Sequence, residues 1–160
     1  MMPEFKTCCF TGHRGLPDEK RNKIQELLLR TVEELCKNGC SCFISGGAVG
    51  FDMMAAETVI KAKQVYPDIK LIMLLPCRDQ HAKWCADDRR RYAHILKCAD
   101  ESIYVCEKYI TGCMHLRNKR MVERADVCVA YYEKKGGGTE YTVNYAAEKD
   151  CPVVNLAEML

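Results

Sequence analysis

Cys42-Phe43-Ile44-Ser45-Gly46-Gly47-Ala48-Val49-Gly50-Phe51-Asp52 passes from a short apolar run, through three closely spaced glycines, into residues that recur at helical spacing. It reads as a buried strand, a tight turn and the start of a helix. The same order recurs around Thr11-Gly12-His13-Arg14-Gly15 and around Gly136-Gly137-Gly138-Thr139-Glu140, and these three loops hold eight of the chain's ten glycines. Glycine lets the main chain approach an anion without an intervening Cβ, and the N–H groups at the start of the following helix attract negative charge. In a parallel α/β sheet, successive strand ends lie on one edge, so the loops are expected to converge on one crevice for a nucleotide or sugar phosphate.

Outward from these loops, strand and helix patterns alternate to the end of the chain. Strands are expected at 5–10, 42–45, 69–75, 102–106, 127–132 and 153–156. The intervening helices are expected at 18–38, 51–63, from Asp79 through a stretch carrying Trp84, Tyr92, Ile95 and Leu96, 114–124 and 139–149. Ile24, Leu27, Leu28, Val32 and Leu35 supply the apolar stripe of the first helix, and within 69–75 Leu71–Leu75 is the continuous apolar run of a strand buried on both faces. The expected fold class is α/β: a Rossmann-like, doubly wound, mostly parallel sheet of about six strands with helices on both faces, in a single domain over 1–160.

Composition narrows the function classes. The 24 basic and 22 acidic residues leave a formal charge of +2, so no global field recruits nucleic acid or a membrane surface. No apolar run approaches the roughly 20 residues that a membrane helix needs, and the first residues lack a signal-peptide core. A cytoplasmic location is expected, with the 12 cysteines reduced because they fall inside strand and helix patterns. Cys8 and Cys9 are adjacent in a strand and point to opposite faces, while Cys40 and Cys42 lack the further ligands of a zinc spacing. Neither a metal nor a resident cofactor is expected. None of the glycine loops reads G-x-G-x-x-G or carries the Gly-Lys-Ser/Thr of a P-loop. Ser45-Gly46-Gly47 also replaces the ribose-gripping acid at the end of the second strand, which argues against dinucleotide dehydrogenases and P-loop NTPases.

Ser45-Gly46-Gly47-Ala48-Val49-Gly50-Phe51-Asp52 resembles the SGGAxGxD loop of the DNA-processing protein A (DprA) family. Met114-His115-Leu116-Arg117-Asn118, followed by Gly136-Gly137-Gly138-Thr139, resembles the MHxRK and GGxGT pair of the Lonely Guy nucleotide glycosidases. Together they resemble the SMF/DprA–Lonely Guy (SLOG) superfamily. Cys9-Phe10-Thr11-Gly12-His13-Arg14, with Pro76, Gln80, Trp84, Arg91 and Tyr92, is similar to its YpsA-like branch. The resemblance implies a Rossmann-like fold, binding of nucleotides or nucleotide-derived ligands, and dimers or higher oligomers. It breaks where the glycosidases carry paired carboxylates, GTxEE: here Glu140-Tyr141-Thr142 follow Thr139, and a one-residue shift on a helix turns a side chain by about 100 degrees.

The candidate ligand-binding residues are Gly12, His13, Arg14, Ser45, Gly46, Gly47, Gly50, Asp52, Arg117, Gly136, Gly137, Gly138, Thr139 and Glu140. Gly46, Gly47 and Gly50 also suit close strand-to-helix packing, and Asp52 also suits a helix cap. The leading expectation is a binder, or sensor, of a nucleotide or nucleotide derivative. An enzymatic alternative is a nucleotide N-glycosidase in which Arg117 and Glu140 are the catalytic pair. Single-stranded nucleic acid is the less favoured partner, and Arg89-Arg90-Arg91 reads as a solvated face. Trp84 and Tyr92 suit the core better than a base stack. A homo-oligomer is expected, with Met53, Met54 and Met121 as surface apolar residues.

Overall fold

The computed structural model describes residues 4–160. Six strands, β1 (Thr7–Gly12), β2 (Cys42–Ser45), β3 (Lys70–Leu75), β4 (Glu101–Tyr104), β5 (Val127–Tyr131) and β6 (Val153–Asn155), form one all-parallel sheet in the order β4-β3-β2-β1-β5-β6. Five helices connect them: α1 (Arg21–Lys37), α2 (Phe51–Ala62), α3 (Ala86–Cys98), α4 (Cys113–Arg124) and α5 (Gly137–Glu148). This is the doubly wound α/β arrangement that the alternation predicts.

Strand alternation divides the core into two layers. Cys8 and Phe10 face one side with Ile24 and Leu28 of α1, Met53 and Val59 of α2 and Ile95 of α3. Cys9 faces the other with Ile44, Cys128, Met121 and Val122 of α4 and Ala146 of α5. A central parallel strand covered on both faces needs an unbroken apolar run, and Cys8–Phe10 provides it. The chain winds outward from β1 to β4, and α4 then carries it back to the far side of β1. The sheet order reverses between β1 and β5, where doubly wound sheets open a crevice at their carboxyl ends.

Three expectations need correction. Asp79 caps no helix: α3 begins at Ala86 behind Cys85, because residues 78–83 form consecutive turns in which Ala82 N–H donates to Asp79 O and Trp84 N–H to His81 O. Trp84 therefore lies outside the helix that carries Tyr92. The two rings still meet edge to face, 5.1 Å between centroids. Met53, Met54 and Met121 are buried in the chain's own core, so they offer no surface for association. The large apolar side chains that are exposed include Val65, Tyr109, Ile110 and Leu116. The first strand, finally, runs from Thr7 to Gly12 rather than over 5–10, since pairing with β5 continues to Gly12 opposite Tyr131. Among the described residues, no helix is long and apolar enough to cross a membrane.

Candidate functional site

A cavity of about 330 Å³ opens above the carboxyl ends of β1 and β5. Thr11, Gly12, His13 and Arg14 reach it from the end of β1, and Ala48 and Asp52 from the turn before α2 and its first turn. Met114, His115, Arg117 and Asn118 come from α4, and Gly136, Gly137, Gly138 and Thr139 from the start of α5. Nine of the sequence candidates thus line one space, while Ser45, Gly46, Gly47, Gly50 and Glu140 do not. Thr11, Ala48, Met114, His115 and Asn118 were not singled out. All five lie inside quoted motifs, at the end of β1, in the turn before α2 and in the first two turns of α4, which face this edge.

The glycines fall into two physical groups. A Cβ on Gly46 would come within 2.5 Å of the Arg117 Nη1, one on Gly12 would overlap the Phe51 ring, and one on Gly50 would overlap the Arg14 carbonyl. One on Gly47 would press on Leu75, Met73 and Tyr92 at 3.1 Å each. The Ser45 hydroxyl donates to Asp52 O at 2.8 Å and accepts from Gly47 N–H at 3.2 Å. The SGGAVG turn therefore serves packing, which lets the β1 loop and α2 close on each other. Gly136 and Gly137 are different, since a Cβ on either would meet nothing within 4 Å, and one on Gly138 would meet only Asn118 Nδ2 at 3.8 Å. Their backbone is open where α5 presents its N-terminus, the arrangement that accommodates an anion.

Arg117 is 3% exposed and acts as a clamp: its Nη1 donates to Gly46 O at 2.6 Å and its Nε to Asn118 Oδ1 at 2.7 Å. Burial pulls its guanidinium below its ordinary value, opposed by the charge of nearby Asp52. Asp52 is 5% exposed, and its Oδ1 has no hydrogen-bond partner among the described residues. Burial raises its carboxyl from 3.8 to about 6, against the opposing pull of Arg117. A buried, unpartnered acceptor at the cavity wall is suited to receive a hydroxyl from a ligand.

The Asp52 shift has a testable consequence. The group releases its proton near 3.8 in the unfolded chain and near about 6 in the folded one, so its contribution to stability is complete below 3.8 and is lost as pH rises through about 6. The loss amounts to at most about 3 kcal/mol. Urea midpoints of wild type and Asp52→Asn, taken from about pH 4 to about pH 8, should shift in favour of the variant as pH rises. Parallel curves would show that Asp52 ionises normally.

His13 holds the neighbouring loop. Its Nε2 accepts from Glu133 N–H at 2.9 Å and Lys134 N–H at 3.0 Å, so this nitrogen carries no proton, and burial holds the imidazole below its usual value. Glu140 points elsewhere: its Oε2 accepts from Tyr132 Oη at 2.5 Å and Gly136 N–H at 3.1 Å, and the Tyr132 hydrogen bond keeps its carboxyl below the ordinary value. It shapes the glycine loop from behind. Among the described residues, Asp52 is the only carboxylate that lines the cavity. Among the described residues, no three His, Cys, Asp or Glu side chains cluster as a metal site would require.

Comparison with known proteins locates this architecture. A UPF0398 protein of Halalkalibacterium halodurans is 32% identical over 141 residues, covering 86% of this chain and 72% of that protein. The uncharacterized SPbeta prophage-derived protein YoqJ of Bacillus subtilis is 34% identical over 137 residues, covering 78% of this chain and 80% of its own length. Among solved structures, DNA processing protein A of Helicobacter pylori, described with a single-stranded DNA binding mode, superposes with a TM-score of 0.67 at 22% identity over 92% of this chain. DNA processing protein A of Streptococcus pneumoniae does so with 0.66 at 17% identity over 93%. The chain spans 63% and 49% of those two structures, which share its fold. The profile of the YspA SLOG family, YpsA, matches residues 9–153, and the chain belongs to that family.

Proposed function

We propose that this protein binds a nucleotide or nucleotide-derived ligand, holding its phosphate against the Gly136–Gly138 backbone. The observation that carries the reading is the open start of α5, where glycines with no Cβ neighbour face the same cavity as the exposed Arg14. Arg14 makes no ion pair among the described residues, and an uncommitted guanidinium beside a helix N-terminus favours a phosphate over a neutral ligand. The Asp52 Oδ1, buried beneath, is a fitting acceptor for a ribose hydroxyl.

Calorimetric titration with ribose 5-phosphate and with ribose tests the reading. The phosphate ester should bind and the neutral sugar should not. Gly138→Val should weaken the phosphate ester at least roughly tenfold while the chain stays folded, because a branched side chain then stands over the N–H groups. Equal binding of both sugars, or unchanged affinity in the folded variant, would refute the cradle.

A second reading places the phosphate in a single-stranded nucleic acid. It is supported by the fold shared with the Helicobacter pylori DNA-processing protein and by the SGGAVGFD turn. Retention on single strands that falls steeply with salt, together with no affinity for ribose 5-phosphate, would favour it.

A further inference from the structure

A second cavity, about 490 Å³, adjoins the first and is lined by Asp79, Gln80, Ala82, Lys83, Trp84 and Tyr109, with Arg14 and Met114 lining both. Its walls differ in character from those of the phosphate cavity. Trp84 contributes an indole steadied by Tyr92 and by His81, at 5.1 and 6.3 Å between centroids, and Tyr109, which lines the same cavity, is 60% exposed. The two spaces are also joined through Gly46, whose carbonyl accepts from Arg117 Nη1 on one side and from Gln80 Nε2 at 3.2 Å on the other. Gln80 Nε2 also donates to Tyr92 Oη at 3.0 Å. With both its donor bonds so placed, the Gln80 amide oxygen is left buried with no partner among the described residues.

We infer that the second cavity is a base subsite, and that the ligand class is a nucleoside 5′-phosphate whose aromatic base packs on Trp84 and Tyr109 while its phosphate rests on the Gly136–Gly138 loop. This extends the proposed phosphate site and rests on it. An aromatic occupant matches the exposed tyrosine and the rigid indole, since every base has a π-face and stacking needs little else. The Gln80 oxygen accepts from a base N–H. Met114, at the junction, is a flexible apolar side chain suited to fill the gap beside a ribose. The alternation of an anion cradle and an aromatic slot along one crevice is the division that a nucleotide itself presents.

Trp84 is the only tryptophan in the chain, so its fluorescence reports on this cavity alone. Ribose 5-phosphate and the four nucleoside 5′-monophosphates, AMP, GMP, CMP and UMP, are titrated separately into the whole protein, followed by emission and by calorimetry. At least one nucleotide should bind roughly tenfold or more tightly than ribose 5-phosphate and quench or shift the emission, whereas ribose 5-phosphate should bind with emission unchanged. Trp84→Leu should remove that advantage and leave ribose 5-phosphate affinity intact. Tyr109→Ala, at a position 60% exposed, should reduce it if the tryptophan variant fails to fold. Four nucleotides that bind no tighter than ribose 5-phosphate and leave the emission unchanged would overturn the base subsite and leave the phosphate site standing. Binding of neither sugar phosphate nor nucleotide would overturn both.

Discussion

Arg117→Ala is expected to cost the folded chain about 3–4 kcal/mol, lowering the melting temperature by on the order of 10 °C. The guanidinium is buried and holds the Gly46 carbonyl and Asn118 Oδ1, so its removal leaves Asn118 Oδ1 without its donor, the Gly46 carbonyl with the Gln80 amide alone, and the Asp52 carboxyl without the positive charge that most favours its ionised form. Lysine should not restore it, because one ammonium at the end of a flexible stem cannot supply two divergent planar donors. Thermal and urea unfolding of wild type, Arg117→Ala and Arg117→Lys decide the matter. Wild-type stability in the alanine variant would show that Arg117 acts on ligand alone.

Gly50→Ala should be the most disruptive of the glycine changes, by about 3 kcal/mol or more. Gly50 has φ +86, a conformation that costs a side-chain-bearing residue roughly 1–2 kcal/mol. The added Cβ would also enter the Arg14 carbonyl, which is backbone and cannot rotate away. Phe51 N–H donates to His13 O at 3.2 Å beside this contact, so separating the two loops also weakens the docking of α2 under β1. Gly138→Val provides the control, since its Cβ meets only Asn118 Nδ2 at 3.8 Å and its stability should stay within about 1 kcal/mol of wild type. Differential scanning calorimetry of the two variants should separate them clearly. Comparable melting temperatures would mean that the β1 and β2 loops do not depend on their close approach.

The alternation of apolar runs with helical periodicity determined the fold class, because burial on both faces of a parallel sheet demands continuous apolar strands and allows few other sequences. Cys8–Phe10 and Leu71–Leu75 carry that signal in themselves. The converging edge was legible as well, since glycine loops after strands end on one side of any parallel sheet. The start of α3 was not. Trp84 has helical spacing to Tyr92, yet it approaches that residue from a turn, and spacing alone does not distinguish a shared helix from a tertiary contact.

Only the tertiary structure divided the glycines. In the sequence, Gly46, Gly50 and Gly138 belong to similar loops, and each suits an anion cradle. What separates them is what lies opposite: Arg117 against Gly46, the Arg14 carbonyl against Gly50, and little more than a distant amide against Gly138. Those neighbours are 71, 36 and 20 positions away in the chain. Local sequence encodes which backbone conformations are permitted, but the reason a Cβ is excluded depends on atoms brought in by the crossing of strands and helices. The same holds for Arg117 itself, a charged helical residue whose burial follows from the return of α4 across the sheet to the β1 edge.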